Sequence, residues 1–162
     1  MYARIQEILA EKSRELSPQA ARRLAEVILM ESQRYDIDPA MILAVIQTES
    51  SYRNWVRSDR NAMGLMQILP ETGEDLAQRI DIKWEGEASL YLPVINVKLG
   101  TYYLSQLRER FDSMELALAA YNRGPNAVRR LIGQGRSPSK KYSRRVLSAY
   151  RELKPFFSPR TS

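Results

Sequence analysis

Glu49 stands where a helix would otherwise carry a core aliphatic. Ile42, Val45, Ile46 and Glu49 recur at i, i+3, i+4 and i+7, which puts the carboxyl on the apolar stripe of that helix. Burial disfavours a charged carboxyl, and a helix ending at Ser50-Ser51 sets the negative pole of its dipole beside the acid. Both effects raise the pKa, and an acid that keeps its proton at neutral pH can donate it. The plainer reading is an acid at the edge of the stripe that reaches water or pairs with one of the chain's many arginines. The composition narrows the chemistry, because the chain has neither cysteine nor histidine. Disulfides, thiolate nucleophiles, Ser-His-Asp arrangements and cysteine-ligated metals are thereby excluded, leaving carboxyls, Tyr and Lys for acid–base work.

The elements that must hold Glu49 read as helices. Residues 2–15 form a charged amphipathic pattern, and Ser17-Pro18 supplies an N-cap and a first-turn proline for a second helix to Tyr35. Asp38-Pro39 repeats that signal for the Glu49 helix. Between Tyr52 and Leu69 the helical period fails among scattered Asn, Ser, Asp and Gly, predicting a loop with room for a short hairpin. Pro70 opens a helix to Ile80, and a polar stretch near 83–89 precedes a long helix over 93–111. Glu115 to Tyr121 is a short apolar helix stopped by Asn122-Arg123-Gly124-Pro125. A further short helix spans 126–132, and a basic amphipathic one runs from Lys141 to Leu153. The Arg144-Arg145 pair in it reads as a solvated face.

At 162 residues the chain is expected to form a single domain, 1–162, with 1–17 as an N-terminal helical extension. Its net charge of +6 favours an anionic partner: nucleic acid, an acidic membrane face or an acidic polymer such as the cell wall. The longest apolar run, Ala40 to Ile46, is far short of the ~20 residues of a membrane-spanning helix. The first residues lack the pattern of a secretory signal, as expected of a chain that is not exported by that route, a mature form, or a piece of a longer precursor.

Three short motifs punctuate this frame in order: Glu49-Ser50, Gly64-Leu65-Met66-Gln67, and Ala120-Tyr121-Asn122. Joined by Asn96 in the long helix and Tyr142 in Lys-Tyr-Ser-Arg-Arg-Val, they span about Pro18 to Tyr150. This pattern resembles the catalytic domain of soluble-type lytic transglycosylases, relatives of goose-type lysozyme. The resemblance implies a predominantly α fold of the lysozyme-like α+β superfamily, a compact helical domain with an open glycan-binding cleft. It also implies that Glu49 is the single catalytic acid/base and that Ser50 hydrogen-bonds near its carboxyl. Met66 and Gln67 would line the cleft, Tyr121 and Asn122 would position the sugar, and Tyr142 would be the family's late tyrosine near the acid. Asn96 matches a structural position. Taken alone, Gly64 reads as a turn glycine and Leu65 as core, and Met66 is open to core or cleft. Gln67, Tyr121 and Asn122 read as cleft, because polar groups following apolar helices at loop edges suit hydrogen bonding to sugar amides and hydroxyls, against the plainer reading of Tyr121 as a buried aromatic.

The activity implied is cleavage of the β-1,4 bond between N-acetylmuramic acid and N-acetylglucosamine in peptidoglycan, leaving a 1,6-anhydromuramoyl product. No metal or organic cofactor is expected. Glycan strands are the expected partner, with envelope-assembly proteins as further candidates, no nucleic acid, a monomeric state and action in the bacterial cell envelope. The same fold admits a muramidase in which water attacks; that chemistry usually needs a second carboxylate, for which Asp59 and Glu71 are the candidates. An inactive peptidoglycan-binding scaffold domain is another alternative, and a nucleic-acid-binding protein is supported by charge alone. Three places depart from the family's usual pattern: Arg123 where a small residue is common, Asn126 for a frequent Gly, and Lys140-Lys141 for a Thr-Arg lead-in. All three bear on substrate register and peptide-stem preference.

Overall fold

Among the described residues, proline starts five α-helices, supplying a preset φ where the missing N–H costs nothing. The computed structural model describes residues 1–157, and among them the α-helices are α1 (Tyr2–Lys12), α2 (Pro18–Tyr35), α3 (Pro39–Ser50), α4 (Pro70–Arg79), α5 (Pro93–Phe111), α6 (Met114–Arg123), α7 (Pro125–Gly133) and α8 (Lys141–Leu153). Ser17 caps α2 by accepting from Ala20 N at 3.2 Å, and Asp38 caps α3 by accepting from Ala40 N at 2.9 Å. Short 3₁₀ turns occupy Glu87–Tyr91 and Lys154–Phe156.

Two boundaries differ from expectation. α1 stops at Lys12 rather than continuing to residue 15, because Ser13 is extended and donates its hydroxyl to Tyr52 O at 2.9 Å. Beyond it, the Glu15 carboxylate accepts from the backbone N–H groups of Asn54 and Trp55. The segment before α2 is thus tied to the chain that leaves α3, and Ile5, Ile8 and Leu9 join the common core. α6 includes Asn122 and Arg123 and ends at Gly124, whose φ of 88° breaks the helix.

α3 lies at the centre, with every residue from Pro39 to Ile46 buried. α8 packs against it, α2 packs on α5, and α5 on α6. The amphipathic stripe of α8 supplies Tyr142, Val146, Ala149 and Leu153 to that contact. At its far end the Tyr150 hydroxyl donates to Asp38 Oδ2 at 2.9 Å, fastening α8 to the residue that caps α3.

The loop between α3 and α4 forms two tight reversals with isolated antiparallel bridges, Arg57 with Met63 and Met63 with Ile68, in place of regular strands. Met63 and Ile68 exchange both backbone hydrogen bonds, at 2.9 and 3.0 Å. The turn they close is held by Asn96 of α5, which is fully buried. Asn96 Oδ1 accepts from Met66 N at 2.7 Å, and its amide donates to Met63 O and Leu90 O, both at 2.9 Å. Gly64 has φ of +79°, and a Cβ there would stand 2.3 Å from both Asn96 Nδ2 and Leu90 O. Backbone conformation and close approach both require glycine.

Asn96→Ala would leave the Met66 N–H and the Leu90 carbonyl without partners, while Met63 O would keep its bond from Ile68 N. At about 1 kcal/mol or more for each orphaned group, the expected loss is about 2–3 kcal/mol in urea denaturation. A loss below about 1 kcal/mol would mean that the turn holds itself.

Candidate active site

Glu49 sits in the last turn of α3, on the side that α8 covers. Tyr142, in the first turn of α8, donates its hydroxyl to Glu49 Oε1 at 2.5 Å. Burial raises the Glu49 pKa from an ordinary 4.5 to about 7; the Tyr142 hydrogen bond and the positive charge of Arg145 pull it back in part. Tyr142 is itself buried, which together with the neighbouring carboxylate holds its phenol well above the usual range, so it remains a donor. No carboxylate is among the groups that perturb Glu49. Asp59 is exposed in the loop, and Glu71 lies on α4, where it lines a separate groove.

Arg145 was not visible as a site residue in the sequence. It stands three positions after Tyr142, one turn further along the same face of α8. Its guanidinium reaches Thr48 O at 3.4 Å and adds positive charge beside Glu49. Both arginines of that pair are exposed, as the solvated-face reading expects, and Arg145 makes these contacts in addition. The usable signal was the i, i+3 spacing from the tyrosine.

The Gly64–Gln67 turn and the end of α6 meet directly. Tyr121 donates its hydroxyl to Met66 O at 2.8 Å, and both residues are buried. Met66 is fully inaccessible and packs onto α5 at Gly100, where a Cβ would fall 2.5 Å from its sulfur. Its expected place as a cleft-lining side chain is therefore corrected: Met66 contributes its backbone, and its thioether is core. Ser50 is corrected too. It is 1% exposed and donates back to Ile46 O at 3.1 Å, the i−4 bond open to a serine in a helix, instead of turning to Glu49.

Gln67 takes a left-handed backbone, φ 51°, and folds its amide onto Val56 O and Gly64 O at 3.1 and 2.9 Å. These bonds offset the strain of positive φ in a non-glycine residue. Asn122 is exposed and lines a 430 Å³ depression together with Tyr142. Tyr121 packs its ring against Tyr103, centroids 5.3 Å apart, and Tyr103 lines the 640 Å³ groove between α4 and α5. Glu49 lines neither hollow, and Tyr142, which donates to it, stands in the wall of the smaller one. Among the described residues no cluster of three or more Asp and Glu side chains is arranged to hold a metal ion.

A lone carboxyl whose pKa burial raises to about 7, beside one phenol and one guanidinium, is chemically able to give and take a proton near neutral pH. Comparison with known proteins places the chain in a family. Residues 26–143 match the Transglycosylase SLT domain, and the chain belongs to that family. The membrane-bound lytic murein transglycosylase C of Mannheimia succiniciproducens is 36% identical over 122 residues, covering 69% of this chain and 34% of that protein. Its counterpart in Histophilus somni strain 2336 is 34% identical over 126 residues, covering 72% of this chain and 35% of that protein.

Among solved structures, the 70 kDa soluble lytic transglycosylase of Escherichia coli superposes with a TM-score of 0.75 at 26% identity, over 82% of this chain and 24% of that one. An inactive mutant of the Pseudomonas aeruginosa lytic transglycosylase Slt, with one glutamate replaced by glutamine, gives 0.72 at 26% identity over the same shares. The fold is therefore the predominantly helical, lysozyme-like fold of these enzymes. The chain spans about a third of the length of the two curated relatives, at 34% and 35%. Among the described residues no helix is long and apolar enough to cross a membrane.

The raised pKa of Glu49 has a stability counterpart. Between 4.5 and about 7 the folded protein keeps a proton that the unfolded chain releases, so folding stability falls as pH rises through that window. Glu49→Gln removes the penalty. Relative to the parent, the variant should gain up to about 3 kcal/mol in denaturant unfolding at pH 8 compared with pH 4. An equal stability difference at both pH values would mean that Glu49 is not desolvated.

Proposed function

We propose that this chain is a lytic transglycosylase domain that cleaves the β-1,4 bond between N-acetylmuramic acid and N-acetylglucosamine and forms a 1,6-anhydromuramoyl end. The observation that carries this reading is a lone, partly buried Glu49 with a pKa of about 7 and no carboxylate among its perturbing neighbours. Hydrolases of the usual kinds need a second carboxylate, ~5–5.5 Å away as nucleophile or ~6.5–9.5 Å away to activate water. An intramolecular attack needs neither. In the first step Glu49 gives its proton to the glycosidic oxygen as the bond to C1 of N-acetylmuramic acid breaks. In the second, the C6 hydroxyl of the same sugar bonds to C1 and returns its proton to the Glu49 carboxylate, so the acid is regenerated. Holding nucleophile and electrophile in one ring supplies the effective concentration that an activated water would otherwise provide.

The supporting groups act between the two steps, when Glu49 is anionic. Tyr142 and Arg145 both favour the carboxylate, by hydrogen bond and by charge, and so ease the first proton transfer without drawing the proton off at rest. Asn122, exposed beside Tyr142, is placed to bond a sugar amide or hydroxyl. The curated relatives act, by their names, on murein, and an envelope location for this chain follows from that substrate. Its net charge of +6 suits an anionic wall.

Mass spectrometry of purified peptidoglycan after incubation should show soluble muropeptides ending in 1,6-anhydro-N-acetylmuramic acid, with Glu49→Gln slower by about 10²–10⁴-fold. Reducing-end products would mean a muramidase, and no products from the parent would favour a binding domain. The rate should also fall as pH rises through about 7, where Glu49 loses its proton. Tyr142→Phe removes a group that lowers that pKa, so the alkaline limb should move to higher pH while kcat drops. A limb that stays in place would dissociate Tyr142 from the acid.

A further inference from the structure

Trp55 lies outside both hollows and outside the core. At 64% exposure it presents a larger share of its surface than any other large apolar side chain among the described residues. The chain's other tryptophan, Trp84, is half-buried, packs on the core and fills the space over Gly73, where a Cβ would stand 3.0 Å from its ring. Trp55 fills no such space. Its indole meets the half-buried ring of Tyr91, with centroids 5.3 Å apart and planes tilted by 40°. The chain beneath the rings is fastened: the Asn54 side-chain amide donates to Tyr91 O at 2.8 Å, and the Glu15 carboxylate accepts from Trp55 N at 3.2 Å. Two residues on from Trp55, Arg57 pairs with Glu87 at 3.4 Å, both side chains half-exposed. Residues 54–57 therefore lie along the 3₁₀ turn Glu87–Tyr91, with an aromatic pair at one end and a neutralised ion pair at the other. Leu92, exposed next to Tyr91, extends the apolar edge.

Holding a tryptophan in water on a fixed backbone forgoes hydrophobic stabilisation, and the surface it forms suits one class of ligand. A pyranose ring has an apolar face of C–H groups and a rim of hydroxyl and amide groups. An indole can stack on the face, while Arg57 and Glu87 offer a donor and an acceptor to the rim. An anionic polymer would require uncompensated cations, and Glu87 neutralises Arg57. A folded protein partner would require about 800 Å² from this side. The two rings together can bury at most about 300–500 Å². Even with Leu92 beside them the patch falls short of a stable protein interface, and its scale is that of a short stretch of glycan.

We propose that Trp55 and Tyr91 form a second glycan-binding surface, which holds a strand of peptidoglycan by stacking on its sugar rings away from the acid. The proposal rests on the function proposed above, which makes a β-1,4-linked polymer of N-acetylated sugars the substrate. The surface is joined to the site through a single residue. Val56, between Trp55 and Arg57, accepts at its carbonyl from Gly64 N at 3.0 Å and from Gln67 Nε2 at 3.1 Å, in the turn that Tyr121 holds at Met66. A strand seated on Trp55 is thus kept at a fixed distance from Glu49. On an insoluble polymer, this second contact raises the local concentration of scissile bonds at the acid.

The test uses the Glu49→Gln protein, which lacks the proposed proton donor, alone and combined with Trp55→Ala or with the conservative Trp55→Tyr. Its ligands are stem-free glycan strands, stem peptide released from the sugar, and insoluble peptidoglycan. In isotope-labelled protein, the indole N–H resonance that Trp55→Ala removes should shift saturably on titration with stem-free strands and stay in place with stem peptide. Cosedimentation with insoluble peptidoglycan should weaken by about three- to tenfold in Trp55→Ala and recover in large part in Trp55→Tyr. Trp55 is exposed, so both variants should melt with the parent, and a loss of affinity then reads as lost binding. An indole that the strands do not move overturns the proposal. So does one that stem peptide moves as strongly, which would make this a peptide surface, and so does undiminished affinity in Trp55→Ala. Failure of the proposed chemistry shows separately, as an absence of 1,6-anhydro products from the parent, whatever the indole does.

Discussion

The packing of α8 across α3 is the constraint on which the site depends. α3 is buried along most of its length, and the part that could have met water, its last turn, is roofed by the first turn of α8. Tyr150 fixes the two helices at Asp38 and Tyr142 fixes them at Glu49, so they are tied near both ends of α3. Desolvation of Glu49 follows from this arrangement and from no feature of the acid itself. With α8 displaced, the same residue would be an exposed glutamate at a helix end, ionised at neutral pH. The energy of helix packing thus appears at the site as a shifted proton equilibrium.

A second constraint governs the turn opposite. Residues 63–67 contain two positive-φ positions, Gly64 and Gln67, and two isolated bridges, which is little hydrogen bonding for a segment that must keep its shape. Shape is imposed from α5 by Asn96 and from α6 by Tyr121, which bond the turn's main chain at Met63, Met66 and, through Leu90, its neighbouring segment. The hydroxyl of Tyr121 is thereby engaged, and burial holds its phenol far above the usual range. A polar network this buried stabilises only when each member is satisfied, which makes Asn96 and Tyr121 costly places for substitution.

How much of this was legible in the sequence depended on how local each cause was. Helix starts were readable because Ser17-Pro18, Asp38-Pro39 and Pro70 act through their own backbone and neighbouring N–H groups. Glu49 was readable because its stripe is a property of one helix. The end of α1 was not, since Ser13 departs from the helix for a carbonyl 39 residues away. Ser50 and Met66 fell on motif positions, yet the direction of each side chain was settled by a helix carbonyl in one case and by the space above Gly100 in the other. Arg145 escaped notice because its meaning comes from Thr48 and Glu49, which only the packing of α8 brings near.

Asn96 touches the turn only through peptide groups: the N–H of Met66 and the carbonyl of Met63, with Leu90 O as its third partner. Such a grip is indifferent to side-chain identity. The turn behaves as a cartridge in a fixed socket, in which Gly64 is dictated by the socket's walls while exposed positions nearby, such as Arg60, are free to be exchanged. A fold arranged in this way can alter what its rim recognises without resetting the acid beneath, so new substrate preferences can be drafted on the surface one residue at a time.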